Sequence, residues 1–248
     1  MSEDLTAETI NLVATGGDEI EAYLAVPDDG AQARGSVVVI HHMPGYDTSS
    51  KEIVRKFASH GYAALMPNLY SREAPGASSD DAAAVVRANG GVPDGRLVGD
   101  VGAAADFLRA LDNSNGKVGV IGYCSGGRQS FLAACSLPLD AAVDCYGAWI
   151  VTPPAADSPV QARPIVDLAP QLACPLLGLF GVIDKMPSPA ETAELSKALD
   201  AAGKQHEFHT YDDAGHGFFS VDRIAYRVEA ANDGWARIWD FFGRYLAS

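Results

Sequence analysis

The sequence has no long apolar run, no excess of basic residues and no paired cysteines, and each absence argues against a class of protein. No run approaches the roughly 20 consecutive apolar residues of a membrane-spanning helix, so no membrane partner is predicted. Lys and Arg number 18 against 32 Asp and Glu, which gives a net charge of −14. Because phosphate binding needs clustered Lys and Arg, this balance argues against nucleic acid as a partner. Solubility alone explains the acidity.

The four cysteines do not fit the usual cysteine-based scaffolds. Cys124, Cys135, Cys145 and Cys174 contain no CxxC spacing, which disfavours a zinc site and a disulfide framework. The last three lie in apolar segments and are predicted to be buried small hydrophobic side chains. The N-terminal stretch MSEDLTAETI is too acidic and polar for a signal peptide, so a cytoplasmic location is expected.

The chain is long and apolar enough for one large globular domain spanning residues 1–248, since 48% of its residues are hydrophobic. Apolar runs typical of strands alternate with segments of helical periodicity. This alternation predicts an α/β fold, with a mostly parallel central sheet flanked by helices on both faces. The predicted strands are Glu8–Val13, Ile20–Val26, Ser36–His41, Tyr62–Met66, Lys117–Gly122, Ala141–Tyr146, Leu176–Gly181 and Glu207–Tyr211. The predicted helices are Ser49–His60, Gly99–Leu111, Ser125–Ser136, Pro189–Ala202 and Val228–Leu246, and Val151–Pro164 is predicted to be a loop.

One strand–helix junction, GVIGYCSGGR, has the spacing of a nucleophile elbow. Gly122 and Gly126 stand two residues before and after Cys124, where the backbones of strand and helix approach too closely for a side chain. Centring the motif on Ser125 would put Tyr123 at the first glycine position. Cys124 is therefore the candidate nucleophile, and the backbone N–H of Ser125 would face an oxyanion at the helix start. The alternative is a buried cysteine in a tight turn.

A reactive thiol needs a base, and the base needs an orienting carboxylate. In α/β-hydrolases the chain order is nucleophile, acid, histidine. Asp184 follows a predicted buried strand, and Asp144, Asp212 and Asp213 are its rivals. Of the six histidines, His216 alone has both the loop position and the chain order of a base.

Several segments together resemble the dienelactone hydrolase family, a branch of the α/β-hydrolases. They are GYCSGG, GVIDKMPSP and YDDAGHGF around the three candidates, PNLYSREAPG at residues 67–76 and SNGKVGVIGY before the elbow. The resemblance extends from about residue 20 to the C-terminal helix. It implies an α/β-hydrolase fold and a monomer that hydrolyses small esters or lactones through a cysteine acyl-enzyme, with no metal and no organic cofactor.

The resemblance also assigns roles to residues. Cys124 would attack the carbonyl carbon, His216 would exchange protons with it and activate water, and Asp184 would orient His216. The backbone N–H groups of Ser125 and Met43 would hold the oxyanion. Met43 is assigned by aligning Pro44-Gly45 with an apolar-Gly pair of the family.

The sequence departs from the family at the substrate-binding positions. His42 replaces a glutamate that contacts the cysteine, and an imidazole there could stabilise a resting thiolate or serve only in packing. Ser220 stands where members that cleave dienelactone carry an arginine, and GASSDDAAAVV contains no match to their second arginine. Losing a bidentate carboxylate partner argues against dienelactone as the natural substrate. Adjacent His41 and His42 would point to opposite sides of a strand and so do not form a metal site.

Other residues are candidates for the pocket. Arg72 could supply positive charge, and Tyr123, Tyr146 and Trp149 follow or end predicted strands. Each also has another interpretation, the arginine as a structural or exposed residue and the aromatics as core. Two further functions stay open, an acyltransferase on the same fold and a non-catalytic ligand-binding protein.

Overall fold

The computed structural model of the protein describes residues 5–28 and 33–247. Residues 1–4, on which the expectation of no signal peptide partly rests, lie outside this range. Within the described ranges the chain forms eight strands, six α-helices and two short 3-10 turns. The strands are β1 (Leu5–Val13), β2 (Glu19–Pro27), β3 (Ser36–Ile40), β4 (Ala63–Pro67), β5 (Val118–Tyr123), β6 (Ala141–Cys145), β7 (Leu176–Gly181) and β8 (His206–Tyr211). The helices are α1 (Thr48–Ser59), α2 (Ser79–Ala88), α3 (Asp94–Arg109), α4 (Ser125–Ser136), α5 (Pro189–Ala201) and α6 (Val228–Leu246), and the 3-10 turns are Thr15–Gly17 and Val166–Gln171.

All eight strands belong to one sheet, in the order β1-β2-β4-β3-β5-β6-β7-β8. The six strands from β4 to β8 in this order are parallel neighbours, and only the pairs β1–β2 and β2–β4 are antiparallel. The predicted fold class, a mostly parallel sheet of the α/β-hydrolase type, is confirmed. Because the carboxyl ends of β3, β5, β6, β7 and β8 meet at one edge, residues that follow these strands lie close together.

Two apolar cores cover the two faces of the sheet, and the central strands contribute to both. Along β3, Val38 and Ile40 pack in one core, whereas Val37 and Val39 pack in the other. The first core receives apolar side chains from α2, α3, α4 and α5. The second receives them from α1 and α6. A strand buried on both faces reads as a continuous apolar run, as β3 does in the sequence.

The predicted elements differ from the structure mainly between residues 78 and 98. Helix α2 has no counterpart in the prediction. Its N-terminus is capped by the Ser78 hydroxyl, which accepts a hydrogen bond from the N–H of Asp81. Helix α3 begins at Asp94 and not at Gly99, because Pro93 occupies its N-cap position. The loop predicted at Val151–Pro164 contains no helix or strand, and α6 has the predicted bounds. No helix among the described residues is both long and apolar enough to cross a bilayer.

Candidate active site

Cys124 lies in a strained turn between β5 and α4. Its backbone has φ 58° and ψ −121°, a conformation that residues other than glycine rarely adopt. A Cβ atom at Gly122 would overlap the backbone of Gly126, and a Cβ atom at Gly126 would lie 2.6 Å from the carbonyl oxygen of Ile40. The two glycines therefore let strand, turn and helix meet, and the turn presents the partly exposed Cys124 at the sheet edge.

His216 and Asp184 form a hydrogen-bonded pair at the same edge. The distance from His216 Nδ1 to Asp184 Oδ2 is 3.0 Å. The other carboxylate oxygen of Asp184 accepts a hydrogen bond from the N–H of Met186 at 2.9 Å. The Asp184 side chain is only 2% exposed, so packing and hydrogen bonds on both oxygens hold its orientation. This arrangement leaves His216 Nε2 free to exchange protons with a reacting group.

Opposing effects act on the proton affinity of His216. Burial lowers the pKa of the imidazole, but hydrogen bonding and electrostatic interaction with Asp184 and Cys124 raise it. The net result is a pKa raised from 6.5 to about 10. An imidazolium is therefore favoured next to Cys124, which is the charge state that stabilises a thiolate.

The other carboxylates considered as the orienting acid do not contact His216. Asp144 ends up fully buried beneath the elbow, where its Oδ1 accepts a hydrogen bond from the N–H of Gly147 at 2.7 Å. Burial raises the pKa of Asp144 to about 7. Asp212 and Asp213 are exposed on the loop before His216. Among the described carboxylates, Asp184 is the one that hydrogen bonds to the His216 ring.

Two backbone N–H groups near the elbow are potential oxyanion donors. Ser125 is the first residue of α4, and Met43 follows β3, whose neighbour in the sheet is β5. Neither N–H donates a hydrogen bond within residues 5–28 and 33–247. Met43 and Cys124 line one cavity, and Met43 and Ser125 line an adjacent one. A donor from the strand-end loop and a donor from the helix start therefore both lie beside the elbow.

The catalytic cavity, which we define as the space of about 280 Å³ above Cys124, is open to solvent at its rim. Cys124 and His216 line it together, with Ser220, Arg223 and Ile224 from the segment after the histidine. Ile224 is fully exposed. The cavity size suits a small molecule.

His42 also lines the catalytic cavity and belongs to a second His–Asp pair. Its Nε2 lies 3.0 Å from Asp47 Oδ2. Asp47 also caps α1 by accepting a hydrogen bond from the N–H of Ser50. Burial would raise the pKa of Asp47, but hydrogen bonds from His42 and Ser50 lower it to about 2. Asp47 is thus an anion that holds the His42 ring against the cavity wall.

His41, the neighbour of His42, points away from the cavity and is structural. Its Nδ1 contacts the carbonyl oxygen of His42 at 2.9 Å, and its Nε2 accepts a hydrogen bond from the N–H of Leu69. Burial lowers the pKa of His41 to about 4. In the described part of the chain no three His, Cys, Asp or Glu side chains are grouped as metal ligands.

The predicted aromatic pocket residues are spread over three cavities, and only Tyr146 lines the catalytic one. Tyr146 lies beneath the catalytic cavity, with its ring 5.1 Å from the His216 ring. Tyr123 lines a neighbouring apolar space on the α1 and α6 side. Trp149 lines a third cavity, with Met43 and Ser125, on the far side of the elbow. Tyr146 is therefore the aromatic candidate beside the nucleophile.

Arg72 was a candidate for the pocket, and the structure places it elsewhere. Its guanidinium binds both carboxylate oxygens of Asp100 at 2.8 and 3.0 Å and Asp18 at 2.7 Å. It does not line the catalytic cavity. Arg72 instead joins the β1–β2 turn to α3, because the fully buried Asp100 requires a cation.

Two features of the cavity were not anticipated from the sequence, the cation Arg223 and the pairing of His42 with Asp47. Arg223 lines the catalytic cavity and is exposed, and its guanidinium has no ion pair or hydrogen bond with any described residue. The resemblance pointed only to Ser220, the position that matches the family's arginine. Arg223 is the first cation after His216 in the sequence. The His42–Asp47 pair also had a signal in the sequence, because an Asp just before a predicted helix is a typical N-cap residue.

Comparisons with known proteins agree with this architecture. The family model "Dienelactone hydrolase family" matches residues 20–246. The chain is 33% identical over 228 residues to the "Putative carboxymethylenebutenolidase" of Methylorubrum extorquens, covering 91% of this chain and 77% of the relative. It is 30% identical over 233 residues to the "Carboxymethylenebutenolidase" of Pseudomonas putida, with 92% of each chain covered. A crystal structure named "Putative Dienelactone Hydrolase" from Klebsiella pneumoniae superposes with a TM-score of 0.86 at 28% identity, covering 97% of this chain and 99% of that one.

Proposed function

Since this chain belongs to the dienelactone hydrolase family, a family of hydrolases that act on small esters and lactones, we propose that it hydrolyses such substrates through a thioester on Cys124. The observation that carries the proposal is the arrangement around the elbow. Cys124 sits in the strained turn beside a histidine whose Nδ1 is held by Asp184 at 3.0 Å. A nucleophile, a base and an orienting acid are the three groups that covalent acyl transfer requires.

Acylation would begin with the Cys124 thiolate beside a protonated His216. The sulfur attacks the ester carbonyl carbon, and the carbonyl oxygen becomes an oxyanion that accepts hydrogen bonds from the N–H groups of Ser125 and Met43. As the tetrahedral intermediate collapses, His216 Nε2 donates its proton to the leaving alkoxide. Asp184 accepts a hydrogen bond from Nδ1–H throughout, which fixes the tautomer and stabilises the imidazolium.

Deacylation would run through the same groups. Neutral His216 accepts a proton from a water molecule, and the resulting hydroxide attacks the thioester carbonyl. The second tetrahedral intermediate expels the Cys124 thiolate, and the acid product leaves. The site returns to the thiolate–imidazolium pair, which the raised pKa of His216 favours.

The cysteine limits the substrates that this mechanism can cleave. A thiolate is a good leaving group, so an amide intermediate tends to expel the sulfur unless the amine is first protonated. Esters and enol lactones have better leaving groups. We therefore propose activated esters or lactones, and not peptides, as substrates. We also propose that the protein acts as a cytoplasmic monomer, which requires a mass near 26.0 kDa in solution.

The first test is hydrolysis of p-nitrophenyl acetate by the wild-type protein and Cys124→Ala, with intact-mass detection of an acetyl adduct. Turnover and adduct should both disappear in the variant. Cys135→Ala is the matched control, because burial raises the pKa of this α4 thiol to about 12 and it lies outside the catalytic cavity. Turnover that survives Cys124→Ala would contradict the cysteine mechanism and direct attention to Ser125.

We further propose that His42, which lines the same cavity, assists Cys124. An imidazole oriented by Asp47 can stabilise the resting thiolate. At neutral pH, His42→Ala should therefore lower the rate of Cys124 alkylation by iodoacetamide several-fold, and Asp47→Asn should do so to a smaller extent. An unchanged alkylation rate in His42→Ala would assign His42 to packing.

A further inference from the structure

A second cavity of about 180 Å³ lies beside the catalytic cavity, between α1 and α6. We call it the side chamber. Ile53 of α1, Trp235 of α6, and Tyr123, Phe219 and Val221 line it. The side chamber and the catalytic cavity share His42, Tyr146 and Ser220 as lining residues. The two spaces are therefore neighbours, separated by a wall of three side chains.

The size and lining of the side chamber suit one apolar ring. An apolar cavity of about 150 Å³ in a well-studied protein binds benzene. The side chamber is somewhat larger, and most of its wall area is apolar, although Ser49, Ser50 and Ser220 also line it. Water gains few hydrogen bonds from such walls, so an apolar group that enters displaces water at little cost.

The charged residues of the side chamber are already engaged. The Lys56 ammonium lies 3.9 Å from the ring centroid of Trp235, a cation–π contact. Burial lowers the pKa of Lys56. Glu52 forms an ion pair with Arg55, one turn along α1. An uncharged group therefore fits the side chamber better than a carboxylate does.

One polar group of the lining lacks a partner. The Tyr123 side chain is buried, and its hydroxyl makes no hydrogen bond with any residue in the described ranges. A buried hydroxyl without a partner costs free energy that a hydrogen bond would recover. The hydroxyl oxygen is inaccessible to solvent, so Tyr123 meets the side chamber with its ring and adds to the apolar wall.

The position of His216 decides which part of an ester reaches the side chamber. In the proposed mechanism His216 donates a proton to the leaving oxygen, so the alcohol part must lie beside His216. His216 lines the catalytic cavity but not the side chamber. The acyl substituent lies on the other side of the carbonyl carbon, away from His216, and the side chamber is the neighbouring space that His216 does not line.

From this geometry we propose that the side chamber binds the acyl substituent of the substrate and selects an uncharged apolar group of about one ring. This inference rests on the proposed hydrolase function. It assigns Ile53, Phe219 and Trp235 to the recognition of the acyl group, and it leaves the alcohol part in the open catalytic cavity.

Two esters with the same leaving group provide the first test. p-Nitrophenyl benzoate and p-nitrophenyl acetate differ only in the acyl group. Ile53→Trp would fill the side chamber, so kcat/KM for the benzoate should fall by about tenfold or more, while the value for the acetate stays within about threefold. Ile53→Phe, a milder change, should act in the same direction. Val85→Trp, on the exposed side of α2, is the matched control and should change neither.

A binding measurement tests the side chamber without turnover. Calorimetric titration of Cys124→Ala with methyl benzoate should show saturable binding, and adding Ile53→Trp should weaken it by about tenfold or more. Circular dichroism checks that each variant is folded. An equal fall in kcat/KM for both esters would overturn the side-chamber assignment. So would an affinity for methyl benzoate that is unchanged by substitution of Ile53. Acetate turnover that survives Cys124→Ala would instead overturn the proposed mechanism, and the titration would still decide the side chamber.

Discussion

Asp184 is the residue on which the proposed proton transfers depend most. It lies after β7 with both carboxylate oxygens hydrogen bonded. In Asp184→Asn the amide would no longer stabilise an imidazolium and could select the wrong tautomer of His216. We expect kcat/KM for p-nitrophenyl acetate to fall by about 10²- to 10⁴-fold, a range set by triads of other hydrolases.

Asp144→Asn is the matched control for this variant. Asp144 is also buried at the end of a neighbouring strand, and an asparagine can still accept the hydrogen bond from the N–H of Gly147. It does not contact the His216 ring, so its loss should reduce kcat/KM by less than about tenfold. If Asp144→Asn is the more damaging of the two, the acid of the site has been assigned wrongly.

The His216–Asp184 pair also predicts how the free energy of unfolding depends on pH. The pKa of His216 is raised from 6.5 to about 10 in the folded protein. A raised pKa means that the folded state binds the proton more tightly, so this stabilisation is complete below about pH 6.5 and is lost as the pH rises through about 10. Asp184→Asn should therefore destabilise the protein most near pH 6 and least above pH 10. Urea unfolding at both pH values measures this, and an equal loss at both would contradict the linkage.

At the level of secondary-structure elements, the β5–α4 junction is the most constrained part of the fold. A side chain at Gly122 would overlap the backbone of Gly126, which cannot rotate out of the way as a flexible side chain can. Gly122→Ala should therefore lower the free energy of unfolding by about 3 kcal/mol or abolish soluble expression. Thermal and urea unfolding measure the change.

Gly95→Ala is the matched control for the junction. Gly95 lies in the first turn of α3, and a Cβ atom there would meet nothing within 4 Å. Alanine favours a helix over glycine, so this variant should be neutral or more stable by up to about 1 kcal/mol. Equal effects of the two substitutions would show that the junction has no special requirement for glycine.

The stability of the whole molecule depends on an arginine that joins distant segments. Arg72, after β4, contacts Asp18 in the β1–β2 turn and the fully buried Asp100 in α3. Arg72→Ala would leave the Asp100 carboxylate buried without a cation. We expect a loss of about 3–5 kcal/mol in the free energy of unfolding, with kcat/KM changed by less than about threefold.

Arg163→Ala provides the comparison for this prediction. Arg163 and Asp167, four residues apart, form an exposed pair, and exposed pairs contribute about 0–1 kcal/mol. Denaturant unfolding of both variants, with p-nitrophenyl acetate assays on the same samples, separates stability from activity. A large fall in kcat/KM for folded Arg72→Ala would return Arg72 to the substrate pocket.

Local patterns in the sequence were enough to predict the fold class and the positions of the proposed catalytic residues. A strand buried on both faces must be apolar throughout, as Ser36–Ile40 is, and a tight strand–helix turn must have glycine where backbones meet, as at Gly122 and Gly126. These requirements act over a few residues. The parallel sheet then brings the ends of β5, β7 and β8 to one edge, so Cys124, Asp184 and His216 could be proposed together.

Features that depend on contacts between distant residues could not be predicted in this way. Arg72 is 54 residues from Asp18 and 28 from Asp100, so only the packing of α3 against the sheet shows that it is structural. Arg223 follows β8 in the chain, and only the tertiary structure shows that it lines the catalytic cavity. The side chamber exists because α1 and α6, far apart in the chain, pack on the same face. Neither side-chain direction nor empty space between helices is encoded in local periodicity, because both are set by how separate elements pack.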